Sequence, residues 1–173
     1  MVDQVEGLYQ IVPLEPMRQT KGVRFHSLTG KMLPKIDAID RVLHESGALS
    51  PGSVGKVERP WYMHPHQADN LMVLHGIRYV DLYTHQNGRI EHFIVAPDYI
   101  KKENKVVVEG SAMLVWPRGV FHRIVSDETL GSASVNLATH YPGFDMDYEF
   151  NIYDVDVQKG AHWIIREGHL DQP

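Results

Sequence analysis

Cysteine is absent from the 173 residues. Its absence excludes disulfides, thiolate metal sites and a cysteine nucleophile, and leaves histidine and carboxylate as the strong ligands for a transition metal. An excess of positive charge is missing too: 17 basic against 22 acidic residues give a formal net charge of −5. The chain therefore has no electrostatic footprint for nucleic acid or an anionic membrane. No apolar run is long enough for a bilayer span, and the N-terminal MVDQVEGLYQIVPLEPM carries acidic residues with no signal-peptide pattern. A cytoplasmic protein is the expectation. A G-x-S-x-G elbow, a glycine-rich phosphate loop before a helix and an H-E-x-x-H motif are all lacking, which removes serine-hydrolase and nucleotide-driven chemistry.

What the chain does contain is mostly strand. Short β-rich runs alternate with turn signals: YMHPH, NLMVLHG, IRYVDLYTH, IEHFIVA, KVVVEG, AMLVW, FHRIV, SASVNLATH and FNIYDVDV. Such a series without intervening helices points to an all-β sandwich, jelly roll or barrel. Asn87-Gly88 supplies the positive φ angles for a tight hairpin turn in LYTHQNGRIEHF. One stretch reads differently: PKIDAIDRVLHESGALSPGS spaces Ile36, Ile39, Val42 and Leu43 along one helical face, with Pro34 near its start and Gly47 near its end. It predicts a short N-terminal helix. With no repeat, low-complexity tract or linker, the whole of 1–173 reads as one domain: an N-terminal strand and helix extension (1–52), a barrel core (53–140), and a C-terminal strand and tail (141–173).

Polar imidazoles crowd an otherwise apolar run in HPHQADNLMVLHG, and they need partners or a job. His64 and His66, alternating on a strand, point to one face, which inside a small barrel is the interior. A third histidine, His122, follows the turn of WPRGVFHRIV, where Pro117 and Gly119 stand. The combination of H-x-H, an apolar strand ending in Gly76, and P-x-G-x-x-H resembles the cupin superfamily. Glu58 stands where the first motif expects a glycine, Gly110 comes one place early in the second, and Ser126 replaces a frequent asparagine. The resemblance implies a jelly-roll barrel whose histidines share one metal.

The family's acidic ligand is a glutamate that this chain lacks. Counting back from Gly76 gives Asp69; counting forward from His66 gives Asn70. Strand register favours Asp69, because an interval inside a strand slips less than one across a loop, and a three-residue loop would bring in Asn70 instead. The metal set that the resemblance implies is thus His64, His66 and His122 with Asp69 or Asn70. A lone H-x-H is more often a solvated or hydrogen-bonded pair, and it is the two motifs in family order that favour a metal. Three imidazoles and one oxygen suit a divalent transition metal: iron, manganese, nickel, copper or zinc.

The resemblance implies a metal-dependent enzyme acting on a small polar metabolite, as a dioxygenase or as an isomerase, epimerase or lyase. Tyr62 and His75 are the candidates for a catalytic base, by proximity to the motifs, although His75 at a strand end also fits a structural role. The alternative is a non-catalytic or metal-free cupin that binds or senses a small molecule such as a sugar. Cupins are commonly dimers, and a homodimer is expected here, with LYQIVPL extending a neighbour's sheet through its exposed edge.

Overall fold

The computed structural model describes residues 3–28, 32 and 34–172. Seventeen strands follow one another: β1 Gln4–Val5, β2 Tyr9–Pro13, β3 Glu15–Thr20, β4 Val23–Ser27, β5 Ala38–His44, β6 Leu49–Ser50, β7 Trp61–Tyr62, β8 Gln67–Gly76, β9 Arg78–Tyr83, β10 Glu91–Ala96, β11 Tyr99–Lys102, β12 Lys105–Glu109, β13 Ala112–Trp116, β14 Phe121–Ser126, β15 Ser132–His140, β16 Ile152–Asp156 and β17 Ala161–Arg166. The single α-helix among the described residues is α1, Met146–Glu149. One sheet runs β1-β2-β13-β8-β15-β5, and a second runs β12-β11-β10-β9-β14-β7-β16-β17, with β6 paired to β14. All recorded pairings are antiparallel. The architecture is the all-β, cupin-type jelly roll.

Alternation explains how the two sheets face each other. Val80 and Leu82 of β9, Phe93 and Val95 of β10, Leu71 and Val73 of β8, and Leu114 of β13 form one buried cluster with Leu8 and Ile11. Each fully buried side chain of this kind contributes about 1.5–3 kcal/mol by leaving water. The inward row of β8 changes character along its length. Val73 and Leu71 lie in the core, whereas Asp69 and Gln67, on the same face, are buried polar groups. One end of the barrel is closed by hydrocarbon, and the other is built for chemistry.

Three expectations are corrected. The predicted helix over 34–47 is instead β5, an edge strand paired with β15 from Ala38↔Ala138 to His44↔Ser132. Its half-buried positions are Ala38, Asp40, Val42 and His44, while Ile39 and Leu43 are exposed. Pairing with β15 outweighs the i, i+3 spacing of the apolar residues. The hairpin at Asn87-Gly88 exists, but residues 84–90 form its loop, with Gly88 at φ 71° and Asn87 N–H bonded to Thr84 Oγ1, in place of a two-residue turn. LYQIVPL is no free edge: β2 lies between β1 and β13, and Leu8, Tyr9, Ile11 and Val12 are buried.

Candidate functional site

His64 lies in the bend between β7 and β8, held by its neighbours on both sides. Its carbonyl accepts from the Gly119 N–H at 2.8 Å, so the turn of the second motif is tied directly to the first. Gly119, at φ 80°, takes the left-handed conformation that this turn requires. The tie brings His64 beside His122, the second residue of β14, with ring centroids 4.7 Å apart. His64 Nδ1 lies 2.6 Å from the Glu149 carbonyl, and His122 Nδ1 lies 3.2 Å from the Val120 carbonyl. A carbonyl only accepts, so each Nδ1 carries a proton and donates, and each Nε2 is left with a lone pair when the ring is neutral. Burial, and then the neighbouring His64, pushes the His122 imidazole down to about 4.

Asp69 completes the group from β8. Its Oδ1 accepts from Gln67 Nε2 at 2.8 Å and from Asn136 Nδ2 at 2.7 Å. Oδ2, buried and without a hydrogen-bond donor among the described residues, sits 3.5 Å from His64 Nε2. One ligand atom each from His64, Asp69 and His122 lies within 4.8 Å of the others. The result is a buried triangle of acceptors with no donor between them, an arrangement that is costly unless a cation, either a proton or a metal ion, lies among them. Two imidazoles and a carboxylate are a donor set suited to iron and related divalent metals, so the residues fit such an ion.

Other residues singled out in the sequence lie elsewhere. His66 does not alternate with His64 on a strand, because Pro65 bends the chain between them. Its ring is half-exposed and bound through Nδ1 to Glu149 Oε1 at 2.7 Å. Asn70 faces the opposite side of β8 from Asp69, its Nδ2 donating to the Leu137 carbonyl. His75 is exposed because the register between β8 and β15 shifts: Ala133 pairs with His75 but Ser134 pairs with Val73. The extra residue, Leu74, reverses the alternation that would have put His75 beside Asp69. Tyr62 does reach the site. It pairs with His122 across β7 and β14, stacks near His64 at 6.2 Å, and has its hydroxyl pushed up in pKa by burial and then by Asp171.

Four contributors had no motif to announce them. Gln67 and Asn136 hold Asp69, and Glu149 holds both histidines of H-P-H, with its carbonyl on His64 and its carboxylate on the His66 ring and N–H. Trp116 packs 5.1 Å from His122 with its Nε1–H buried and unpartnered among the described residues. A period-2 reading of SASVNLATH would have marked Asn136 as a polar residue facing inward with Ser134 and Ser132. Nothing local signals Glu149. Gln67, Asn136 and Trp116 border a cavity of about 210 Å³ lined also by Tyr62, His64, Asp69, His122 and Arg78, among others. A larger groove of about 590 Å³, on the Asn70 side of β8, contains none of the three cluster residues.

No protein-family model matches the chain, and no curated protein matches it in sequence. Solved structures do match in fold. A dTDP sugar isomerase from Desulfovibrio desulfuricans G20 superposes with a TM-score of 0.58 at 15% identity, covering 80% of this chain and 82% of the other. The TDP-quinovose 3,4-ketoisomerase WlaRB from Campylobacter jejuni gives 0.53 at 13% identity, covering 82% and 89%. A mutant of the 3,4-ketoisomerase QdtA from Thermoanaerobacterium thermosaccharolyticum, in complex with TDP-4-keto-6-deoxyglucose, gives 0.52 at 16% identity, covering 82% and 85%. At these identities the likeness is one of fold, and it is to the cupin-like barrel of sugar isomerases.

Proposed function

We propose that this protein is an isomerase acting on a keto-sugar, with His64, His122 and Asp69 at the reacting carbons. One observation carries the reading: two buried imidazoles, each fixed by a backbone carbonyl so that Nε2 faces its neighbours, share a cavity with an undonated carboxylate oxygen. The fold likeness to sugar 3,4-ketoisomerases supports the substrate class.

Moving a carbonyl to the adjacent carbon needs only proton transfers. A neutral imidazole Nε2 removes the C–H proton from the hydroxyl-bearing carbon; the freed electron pair forms a C=C bond, and the carbonyl π pair moves onto its oxygen. That oxygen takes up a proton, giving an enediol. The hydroxyl on the neighbouring carbon then loses its proton and becomes the new carbonyl, and a proton is returned to the former carbonyl carbon. Substrate and product are isomers, so no oxidant or cosubstrate is consumed. His122, whose Nε2 lone pair is left free by the Nδ1 bond to the Val120 carbonyl, lines the cavity as the base. The Trp116 Nε1–H, with no acceptor among the described residues, suits the developing oxyanion. Tyr62 borders the same cavity as a third proton carrier.

A second reading is favoured by the same triangle, in which His64, Asp69 and His122 hold a divalent transition metal. When bound, such an ion supplies Lewis-acid polarisation of a carbonyl, or oxygen activation if it is redox-active iron. The protein's part is unchanged: Gln67 and Asn136 orient the carboxylate, and the Glu149 and Val120 carbonyls orient the rings. We extend the proposal to a homodimer, formed not through β2 but across the exposed Ile39 and Leu43 of edge strand β5.

The test is incubation with TDP-linked keto-sugars, TDP-4-keto-6-deoxyglucose first, in deuterated buffer with NMR detection and parallel metal analysis. Isomerisation with solvent deuterium appearing at the exchanging carbon is expected, with a loss of at least about 100-fold in His122→Asn. Turnover at an equal rate in His122→Asn would overturn the assignment. A stoichiometric metal surviving dialysis, and lost in Asp69→Ala, would favour the second reading.

A further inference from the structure

The cavity holds a cation that the isomerase reading does not use. Arg78, the first residue of β9, is 2% exposed and lines the cavity. Its Nε donates to Ser132 Oγ at 2.9 Å and its Nη2 to the Val42 carbonyl at 3.3 Å. These are its hydrogen bonds among the described residues, so three of the five guanidinium N–H groups have no acceptor among those residues. The two carboxylates of the cavity are engaged elsewhere: Asp40 and Asp69 both accept from the Asn136 amide, and neither pairs with the guanidinium. The surroundings intensify the charge. His44 lies near enough that burial and then the Arg78 cation push its ring down to about 4, and burial alone lowers Arg78 to about 10.

A buried, hydrogen-bonded but unpaired guanidinium is costly without an anion beside it. We propose that Arg78 receives a carboxylate carried by the substrate sugar itself, so that the natural substrate is an acidic keto-sugar of the uronate type. Two observations select this group. With Nε held by Ser132, the free N–H groups lie on the terminal nitrogens, and a planar carboxylate matches that edge in a bidentate pair. At about 210 Å³ the cavity is smaller than the roughly 300–1,000 Å³ typical of sites for drug-sized ligands, so it suits a single sugar ring, and a nucleoside diphosphate carried by that sugar would lie outside it, away from Arg78. The register places the two functions at a fitting separation. Ser126, opposite Arg78, and His122 are four residues apart on β14, about 13 Å at the backbone, and the long arginine side chain shortens that span. The acidic group would anchor one end of the ring and leave the other at the imidazoles.

This inference deepens the isomerase reading and rests on it only for the identity of the cavity as the sugar site. The experiment reads binding, not turnover: thermal shift and calorimetry of the protein in chelator at pH 8 with D-galacturonate, D-galactose, inorganic phosphate and TDP as probes, for wild type, Arg78→Met and Arg78→Lys. Galacturonate is expected to stabilise the wild type where galactose does not, to lose at least tenfold in affinity in Arg78→Met, and to recover part of it in Arg78→Lys. Arg78→Met should also melt higher than wild type without ligand, since a buried unpaired charge has been removed. Equal shifts from galacturonate and galactose in the wild type, which need no variant to fold, would overturn the proposal. So would an Arg78→Met protein that still prefers galacturonate, or one whose loss is confined to TDP or phosphate, which would make the anion a phosphate. A protein that prefers galacturonate through Arg78 but isomerises no keto-sugar refutes the isomerase reading alone.

Discussion

Replacing Asp69 with asparagine tests the acceptor triangle by its sign. Asp69 Oδ1 already takes two amide donors, from Gln67 and Asn136, and the asparagine Oδ1 can keep both. The other oxygen is the one that changes. In the wild type Oδ2 is buried without a donor among the described residues and faces His64 Nε2 at 3.5 Å, while the His64 Nδ1 proton is already held by the Glu149 carbonyl. An asparagine NH₂ in that place donates toward the Nε2 lone pair. It removes a buried unpaired charge and adds a hydrogen bond of about 0.5–1.5 kcal/mol. For a chain of this size, about 1 kcal/mol moves Tm by roughly 2–4 °C, so Asp69→Asn should melt roughly 1–6 °C higher than wild type in chelator at pH 8, while losing metal binding and activity. Asp69→Ala, which strands both amide donors, should melt lower, at a cost of about 1–3 kcal/mol. The assay is paired thermal melts of the three proteins with far-UV CD, repeated after addition of zinc or iron(II). A lower Tm for Asp69→Asn than for wild type in chelator would refute the reasoning, because it would mean that the carboxylate is already paired with a positive partner in the metal-free protein.

Other perturbations reach the same structure from different sides. Glu149→Ala should cost about 1.5–3 kcal/mol, because its buried carboxylate carries bonds to both the His66 N–H and ring, and it should also lower kcat by loosening the carbonyl that orients His64; urea melts and turnover check the two effects. Acid should destabilise the fold. His122 and His44 are held near 4 against an ordinary value of 6.5, so the unfolded chain binds more protons in that window, and stability is full above about pH 6.5 and falls as pH drops toward about 4. The urea midpoint measured from pH 8 to pH 4 should show this fall, and His122→Gln should flatten it. Ile39→Asp combined with Leu43→Asp changes two exposed residues, 67% and 57% accessible, and should convert the proposed dimer to a monomer on sizing chromatography without lowering Tm beyond the loss of dimer linkage.

The legible parts of this molecule are those where local pattern and tertiary role agree. In β9 and β10 the apolar residues Val80, Leu82, Phe93 and Val95 alternate toward one core, and their period reads directly from sequence. Counting back from Gly76 reaches Asp69, which lies in the cluster with His64 and His122, although the interval contains the bulge at Leu74 that turns His75 outward. Where the barrel becomes a site, pattern and role part. The inward face of β5 carries Asp40 and His44 because it borders the cavity, so its polar residues hide the period of a strand while the exposed Ile39 and Leu43 imitate a helix. Pro65 likewise breaks the strand that H-x-H suggests, which sends His66 to Glu149 and leaves His64 alone with His122 and Asp69. Asn136, Glu149 and Arg78 come from separate parts of the chain, and each acquires its meaning only from the group it faces: a carboxylate shared by two amides, a carbonyl that fixes a tautomer, a cation without an anion. A buried polar residue is mute in one dimension because its partner is set by topology, and it is these residues, more than the histidines of the motifs, that decide which chemistry the cavity can hold.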